Sequence, residues 1–131
     1  MLVAAGSTTA SATPVAADST TASAATARNG VCETGEFCLY FLTNRQGSVS
    51  DFATSVPNYG TTQPTCYDFK GPGAGQGQCV KNNAESAWNR RSRSVRVYFN
   101  SNYGGSSDLV AANSWRNLSA TFDNNASHRL F

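Results

Sequence analysis

Histidine occurs once in this chain of 131 residues, at His128, and Lys and Arg are missing altogether before Arg28. The lone histidine, together with the absence of any C-x-x-C pair, excludes a Cys/His zinc site. It also leaves a hydrolytic triad one imidazole to use, and no G-x-S-x-G or similar signature surrounds it. No stretch approaches the roughly 20 consecutive apolar residues needed to cross a bilayer, so no membrane span is expected. Nothing long carries a helical period. Charged residues amount to 14% with a formal net charge of +2, too mild a balance to indicate a nucleic-acid partner. The acidic residues are scattered, so a glycosidase pair chosen from them would be arbitrary, and a non-enzyme is expected.

What is abundant at the start is Ala, Ser and Thr, which supply 20 of the first 27 residues. A short apolar run, Met1 to Ala5, passes into small residues, and Ala10-Ser11-Ala12 offers a small-x-small site for a signal peptidase. Residues 1–29 are therefore expected to be an export signal without its basic start, followed by a flexible linker; a disordered Ala/Ser/Thr tail is the competing account. Residues 30–131 leave room for one domain with one core, which excludes a two-domain enzyme. The expected setting is secreted and extracellular, and the expected state a monomer.

All four cysteines, Cys32, Cys38, Cys66 and Cys79, fall in that domain, and an even number in a small exported unit reads as disulfides. Four cysteines allow three pairings. Local pairing, Cys32 with Cys38 and Cys66 with Cys79, is favoured because each interval holds glycine or turn residues that can bring its ends together. Paired cysteines leave no thiol nucleophile.

Short β-type runs rich in Tyr, Phe and Val alternate with Asn/Gly/Ser turns, and two of them are copies. Tyr40-Phe41, Asn44, Gly47 and Ser48 recur as Tyr98-Phe99, Asn102, Gly105 and Ser106 at a constant offset of 58. The unit reads as a folded hairpin whose aromatic covers the turn and whose Gly takes a conformation that a side chain would forbid. Each copy also ends alike, in Asn82-Asn83-Ala84-Glu85-Ser86 and Asp123-Asn124-Asn125-Ala126-Ser127.

Tyr98-x4-Tyr103-x-Gly105 resembles the folded-hairpin signature of the βγ-crystallins, and the two terminal runs resemble their calcium motif, N/D-N/D-x-x-S/T-S. The compact region as a whole resembles the bacterial metalloproteinase-inhibitor family, small secreted βγ-crystallin-like domains with two disulfides. The first of these closes a C-x5-C loop in that family, as Cys32-x5-Cys38 would here. The resemblance implies an all-β fold in which two Greek-key motifs form a disulfide-stapled, βγ-crystallin-like sandwich. It also implies a secreted metalloproteinase as partner. The chain departs from the pattern where Ala87 and His128 replace the last Ser of the calcium motif, and where Arg45 stands opposite Tyr103. The interval from Cys66 to Cys79 is also longer than the second loop of those inhibitors.

Comparison of the copies locates a candidate site. Tyr40 to Asn82 spans 42 residues and Tyr98 to Asp123 spans 25, so the first copy carries about 17 residues that the second does without. The Cys66–Cys79 interval falls within that excess, and a stretch held at both ends is a plausible presented loop. Cys66, Tyr67, Asp68, Phe69 and Lys70 are the expected inhibitory residues, with Tyr67 and Phe69 entering apolar subsites of a peptidase. The competing expectation is that Tyr67 and Phe69 alternate as on a strand and merely cover the sandwich.

No cofactor is required by this reading. Calcium at low affinity is the second hypothesis, with Asn82, Ser86, Asp123 and Ser127 as ligands, weak because Asp123 is the only carboxylate among them. Asx turns that shape the chain are the simpler account of the same residues. Arg90, Arg91, Arg93 and Arg96 could attract an anionic partner, but their alternation with Ser92 and Ser94 reads more simply as the solvated face of a protected edge strand. A cell-surface-binding or antimicrobial module is the alternative to the inhibitor.

Overall fold

The computed structural model describes residues 27–131, so the expected export signal and nearly all of the linker lie outside the described residues. Seven short strands follow one another: β1 (Phe37–Tyr40), β2 (Val49–Phe52), β3 (Ser86–Asn89), β4 (Val95–Asn100), β5 (Gly104–Val110), β6 (Ser114–Asn117) and β7 (Ser127–Leu130). They form two antiparallel sheets of order β2-β1-β3-β6 and β5-β4-β7. The third strand of the second repeat, β6, thus joins the sheet of the first. In return the first repeat sends Val56 to bridge His128 on β7. Two interlocked Greek keys result, and each sheet depends on both copies.

The core lies between the sheets. Phe37, Leu39 and Phe52 from one side meet Val95, Val97 and Val110 from the other, all of them buried. Each such side chain contributes roughly 1.5–3 kcal/mol on leaving water. β1 is buried along its whole length, where a strand with one wet face would alternate. Its outward residues Cys38 and Tyr40 are covered by Val49, Cys32 and Trp88. The disulfide Cys32–Cys38 therefore caps the outer face of the first sheet. The second disulfide joins Cys66 to Cys79.

The duplicated motif folds alike in both copies. Asn44 and Arg45 adopt φ of 59° and 57°, and Asn102 and Tyr103 adopt 59° and 61°, a left-handed pair that folds each hairpin over its strand. Gly105 follows at φ +77°, where an added Cβ would lie 2.6 Å from Asn100 Nδ2. One serine pins each fold. Ser86 Oγ donates to the Leu42 carbonyl (2.7 Å) and accepts the Arg45 N–H (3.0 Å). Ser127 Oγ donates to the Asn100 carbonyl (2.7 Å) and accepts the Tyr103 N–H (3.2 Å).

His128 belongs to this architecture. It is fully buried, with Nε2 2.8 Å from the Thr54 carbonyl and Nδ1 2.8 Å from Tyr59 Oη. A carbonyl only accepts, so Nε2 carries the proton and Nδ1 accepts from the tyrosine. Burial lowers its pKa to about 3, which keeps the ring neutral.

Candidate functional site

The Cys66–Cys79 interval is less of a free loop than its sequence suggests. Asp68 bridges Cys79 as in a strand pair, the Phe69 N–H donates to the Gln78 carbonyl, and the Gly77 N–H donates to the Phe69 carbonyl, each at 2.9 Å. Tyr67 gives its N–H to Tyr59 (2.7 Å), and its carbonyl accepts from Val80 (2.8 Å). The Gly-rich tip folds back over Phe41. At Gly75, with φ +87°, a Cβ would come within 2.2 Å of that ring, so the tip fits only as glycine.

The two aromatic residues expected to act together do different things. Phe69 is 1% exposed, edge-on to Phe41 at 5.6 Å, and part of the sandwich core. The expectation that it enters a peptidase subsite is corrected: it cannot leave the core without opening a cavity. Tyr67 remains 38% exposed, its ring against Phe52 at 5.7 Å. Cys66 is buried, Asp68 half-buried and Lys70 exposed. Asp68 takes an ion pair from Lys70 at 2.9 Å and a hydrogen bond from Gln63 Nε2 at 3.1 Å. Partial burial opposes ionisation there, yet these two contacts win and hold its carboxyl below the ordinary range.

Two sets of residues escaped the sequence reading. Thr61, Thr62, Gln63, Pro64 and Thr65 form an exposed arch immediately before Cys66. Gln63 ties this arch to the other side of the disulfide through the Gly77 carbonyl. The run Gly60-Thr-Thr-Gln-Pro-Thr is a turn signal that could have flagged it, had the loop not been bounded at the cysteine. The second omission is Arg28, expected to lie within the linker. Its guanidinium donates to Ser50 Oγ and to the carbonyls of Asp51 and Asp68, and lies over the rings of Phe52 (4.4 Å) and Tyr67 (5.3 Å). The buried Asp51 carboxylate then accepts the N–H groups of Asn29 (3.0 Å) and Gly30 (2.8 Å). The boundary drawn after residue 29 therefore moves back to include Arg28 and Asn29 in the domain.

Calcium, implied by the motif, finds a poor ligand set. Ser86 and Ser127 are completely buried, with their hydroxyls committed to the hairpins, so neither fits the role expected of it. Asn82 and Asp123 sit at φ of 63° and 52°, the left-handed turn positions of their arches. Ala87 and His128, at the motif's last position, are both fully buried. Glu85 supplies a carboxyl that sequence reasoning did not count. Burial, and then the neighbouring Asp123 carboxylate, raise its pKa. Among the described residues no cluster of three or more His, Cys, Asp or Glu could hold a metal.

The arginine run also differs from expectation. Only Arg96 lies in a strand, donating to Ser107 Oγ at 2.9 Å. Arg90 follows β3 and turns back to the Cys32 carbonyl (2.8 Å) and Thr34 Oγ1 (3.1 Å). Arg91 and Arg93 lie in the β3–β4 turn, so the four do not share one strand face. No helix of the described residues is long and apolar enough to cross a membrane.

A βγ-crystallin domain solved in connection with the evolution of the eye-lens fold superposes with TM-score 0.56 at 13% identity, covering 78% of this chain and 90% of its own. The βγ-crystallin from Ciona intestinalis gives 0.54 at 14%, over 74% and 100%. The N-terminal domain of Protein S gives 0.53 at 19%, over 73% and 94%. At these identities the likeness establishes the βγ-crystallin fold alone. No curated protein matches the chain. The sequence profile of peptidase inhibitor family I36 matches residues 25–110, ending at the last residue of β5, with β6 and β7 completing the two sheets beyond it. By that match the chain belongs to peptidase inhibitor family I36.

Proposed function

We propose that the protein is an exported, monomeric inhibitor of metalloproteinases, acting through the surface built on the Cys66–Cys79 disulfide. The observation that carries this reading is Tyr67. It is a large, partly exposed ring one residue beyond a disulfide, on a backbone whose N–H and carbonyl are both already bonded. Because those groups are committed, the segment is not drawn into a cleft as an extended substrate strand. It acts as a rigid wedge, with the Thr61–Thr65 arch and the Gly-rich tip on either side and the Tyr67 ring entering an apolar subsite. Rigidity reduces the ordering entropy lost on binding. The metalloproteinase class is supported by the resemblance of the whole compact region to secreted inhibitors of those enzymes and by their preference for large apolar residues next to the scissile bond. Two disulfides support an extracellular setting.

A panel of thermolysin-like, serine and cysteine peptidases, assayed against the purified protein, tests this. Inhibition of the thermolysin-like enzyme, weakened in folded Tyr67→Ala protein, is the expected result. Inhibition confined to serine or cysteine peptidases would overturn the target class, and inhibition indifferent to Tyr67 would overturn the site.

A further inference from the structure

We propose that the outer face of the first sheet binds an acidic polysaccharide, at a four-membered ladder of Arg90, Trp88, Arg45 and Trp115. Trp88 and Trp115 are direct cross-strand partners on β3 and β6. The Arg45 guanidinium lies between them, 4.7 Å from one ring centroid and 4.8 Å from the other. Arg90 adds a fourth rung, 4.6 Å from Trp88. The array is rigid: the Arg45 N–H is held by Ser86 Oγ, and the hairpin tip is clamped to β6 by Asn44 N–H to Asn117 Oδ1 (2.8 Å) and Asn117 Nδ2 to Asn44 Oδ1 (3.1 Å).

The fold's own second copy shows which part of this is structural. There Tyr103 takes the place of Arg45, and Arg129, two residues after Ser127, takes the place of Trp88, two residues after Ser86. Arg129 lies over Tyr103 at 5.3 Å, so the cation and the ring have exchanged positions and a single pair suffices to close the hairpin. Arg90 and Trp115 go beyond that requirement. Trp115 remains 41% exposed.

Charge identifies the partner. Among the described residues the ion pairs engage Arg28, Lys70 and Arg116, and none engages Arg45 or Arg90. Arg90 meets only neutral oxygens, and the Arg45 guanidinium has the two indoles as its contacts. Two guanidiniums with no carboxylate partner among the described residues, separated by one indole, concentrate positive charge on this face, and it suits the carboxylates or sulfates of an acidic polymer. The exposed indole of Trp115 offers a face on which a sugar ring can stack. The indoles of the ladder lie on β3 and β6, whereas Lys70 of the Cys66–Cys79 segment bonds to Val49 on β2, at the opposite edge of the sheet, and the Gly-rich tip reaches only the far arm of the Arg45 hairpin, at Ser48. Trp115, on the edge strand farthest from that segment, therefore tests the ladder apart from the inhibitory surface.

The experiment is affinity electrophoresis and calorimetry of the intact protein with polygalacturonate and heparin, with neutral dextran and polyglutamate as comparisons. Binding to at least one of the two acidic polysaccharides is expected, falling at least tenfold in Arg45→Gln and in Trp115→Ala, and less in Arg45→Lys. Arg129→Gln removes the same charge from the other sheet and is expected to leave binding within about twofold. Near-ultraviolet circular dichroism of each variant establishes that it is folded, and Arg45→Gln, exposed at a hairpin tip, keeps the test intact if Trp115→Ala is not. Equal losses in Arg45→Gln and Arg129→Gln would overturn the ladder in favour of diffuse attraction. Equal binding of polyglutamate would overturn the saccharide, and binding of neither polysaccharide would overturn the proposal outright. If the ladder variants keep glycan binding but lose peptidase inhibition, the face belongs to the peptidase instead.

Discussion

Arg28 and Asp68 are joined twice: the guanidinium donates to the Asp68 carbonyl at 2.9 Å and stands 3.7 Å from its carboxylate. The first residue of the domain thus holds the segment that follows Cys66. Arg28→Ala should lower stability by about 1–3 kcal/mol, since it strips a charged donor from several buried or half-buried acceptors at once. It should also weaken peptidase inhibition by freeing the Tyr67 ring. Removal of residues 1–27 should change neither property. Thermal melts and inhibition assays on the three proteins measure both effects.

Tyr67 and Phe69 should separate cleanly on mutation. Phe69→Ala empties a core position and should cost roughly 3–5 kcal/mol of stability. Tyr67→Ala, which loses only the ring's contacts with Phe52 and Arg28, should cost about 1 kcal/mol of stability and weaken inhibition by about 1–3 kcal/mol, as expected for one buried anchor. A Phe69→Leu protein that keeps its stability and full potency would place the whole aromatic contribution on Tyr67.

The hairpins were legible in the sequence because their chemistry is local. Gly105 and the Asn44 and Asn102 positions announce a left-handed turn within a few residues, and the offset of 58 exposes the second copy without any knowledge of packing. The cysteine pairs were legible for the same reason. The site was only half so. Tyr67 and Phe69 are equivalent by alternation, and what separates them is Phe41, which lies 26 residues before Tyr67 and covers only Phe69. Ser86 and Ser127 fit a calcium motif by spacing, whereas their partners Leu42 and Asn100 lie in another part of the chain. Arg28 looked like part of a linker because none of its acceptors is near it in sequence.

Stability should rise as pH is raised from about 3 and flatten between about 4.5 and 6.5. His128, neutral in the fold with a pKa of about 3, is protonated only in the unfolded chain between there and about 6.5, so acid favours unfolding across that range. Asp108 adds to the same slope at its lower end. Burial opposes its ionisation, but hydrogen bonds from Thr121 and Ser119 overcome it and lower its pKa to about 2. Glu36 acts oppositely. It is fully buried with Oε2 unpartnered among the described residues, and burial raises its pKa to about 7, so it keeps its proton in the fold while the unfolded chain loses it above about 4.5. Stability from Glu36 is therefore present at low pH and is lost toward 7. Glu36→Gln, which carries no titrating proton, should remove that loss and gain about 1–3 kcal/mol on the parent at pH 8. Urea unfolding across pH 3 to 8 for parent and variant checks both slopes.

Calcium should stabilise the protein weakly, and through carboxylates rather than through the motif serines. Two acidic groups, Glu85 and Asp123, lie together, and a divalent ion between them would relieve the repulsion that, after burial, raises the Glu85 pKa. Two carboxylates on a surface arch, without the serine hydroxyls, form a low-charge and incomplete shell. A dissociation constant no tighter than the millimolar range gives about 1 kcal/mol or less at a few millimolar calcium, a shift of a few degrees in Tm. Asp123→Asn should abolish that shift. Ser86→Ala should do something different: it leaves the Arg45 N–H without its acceptor and lowers the starting stability by about 1–3 kcal/mol, while the increment on adding calcium stays the same. Melts of the three proteins with calcium, and with magnesium as control, separate the two roles. A calcium increment lost in Ser86→Ala, with the hairpin still folded, would return the serine to the metal.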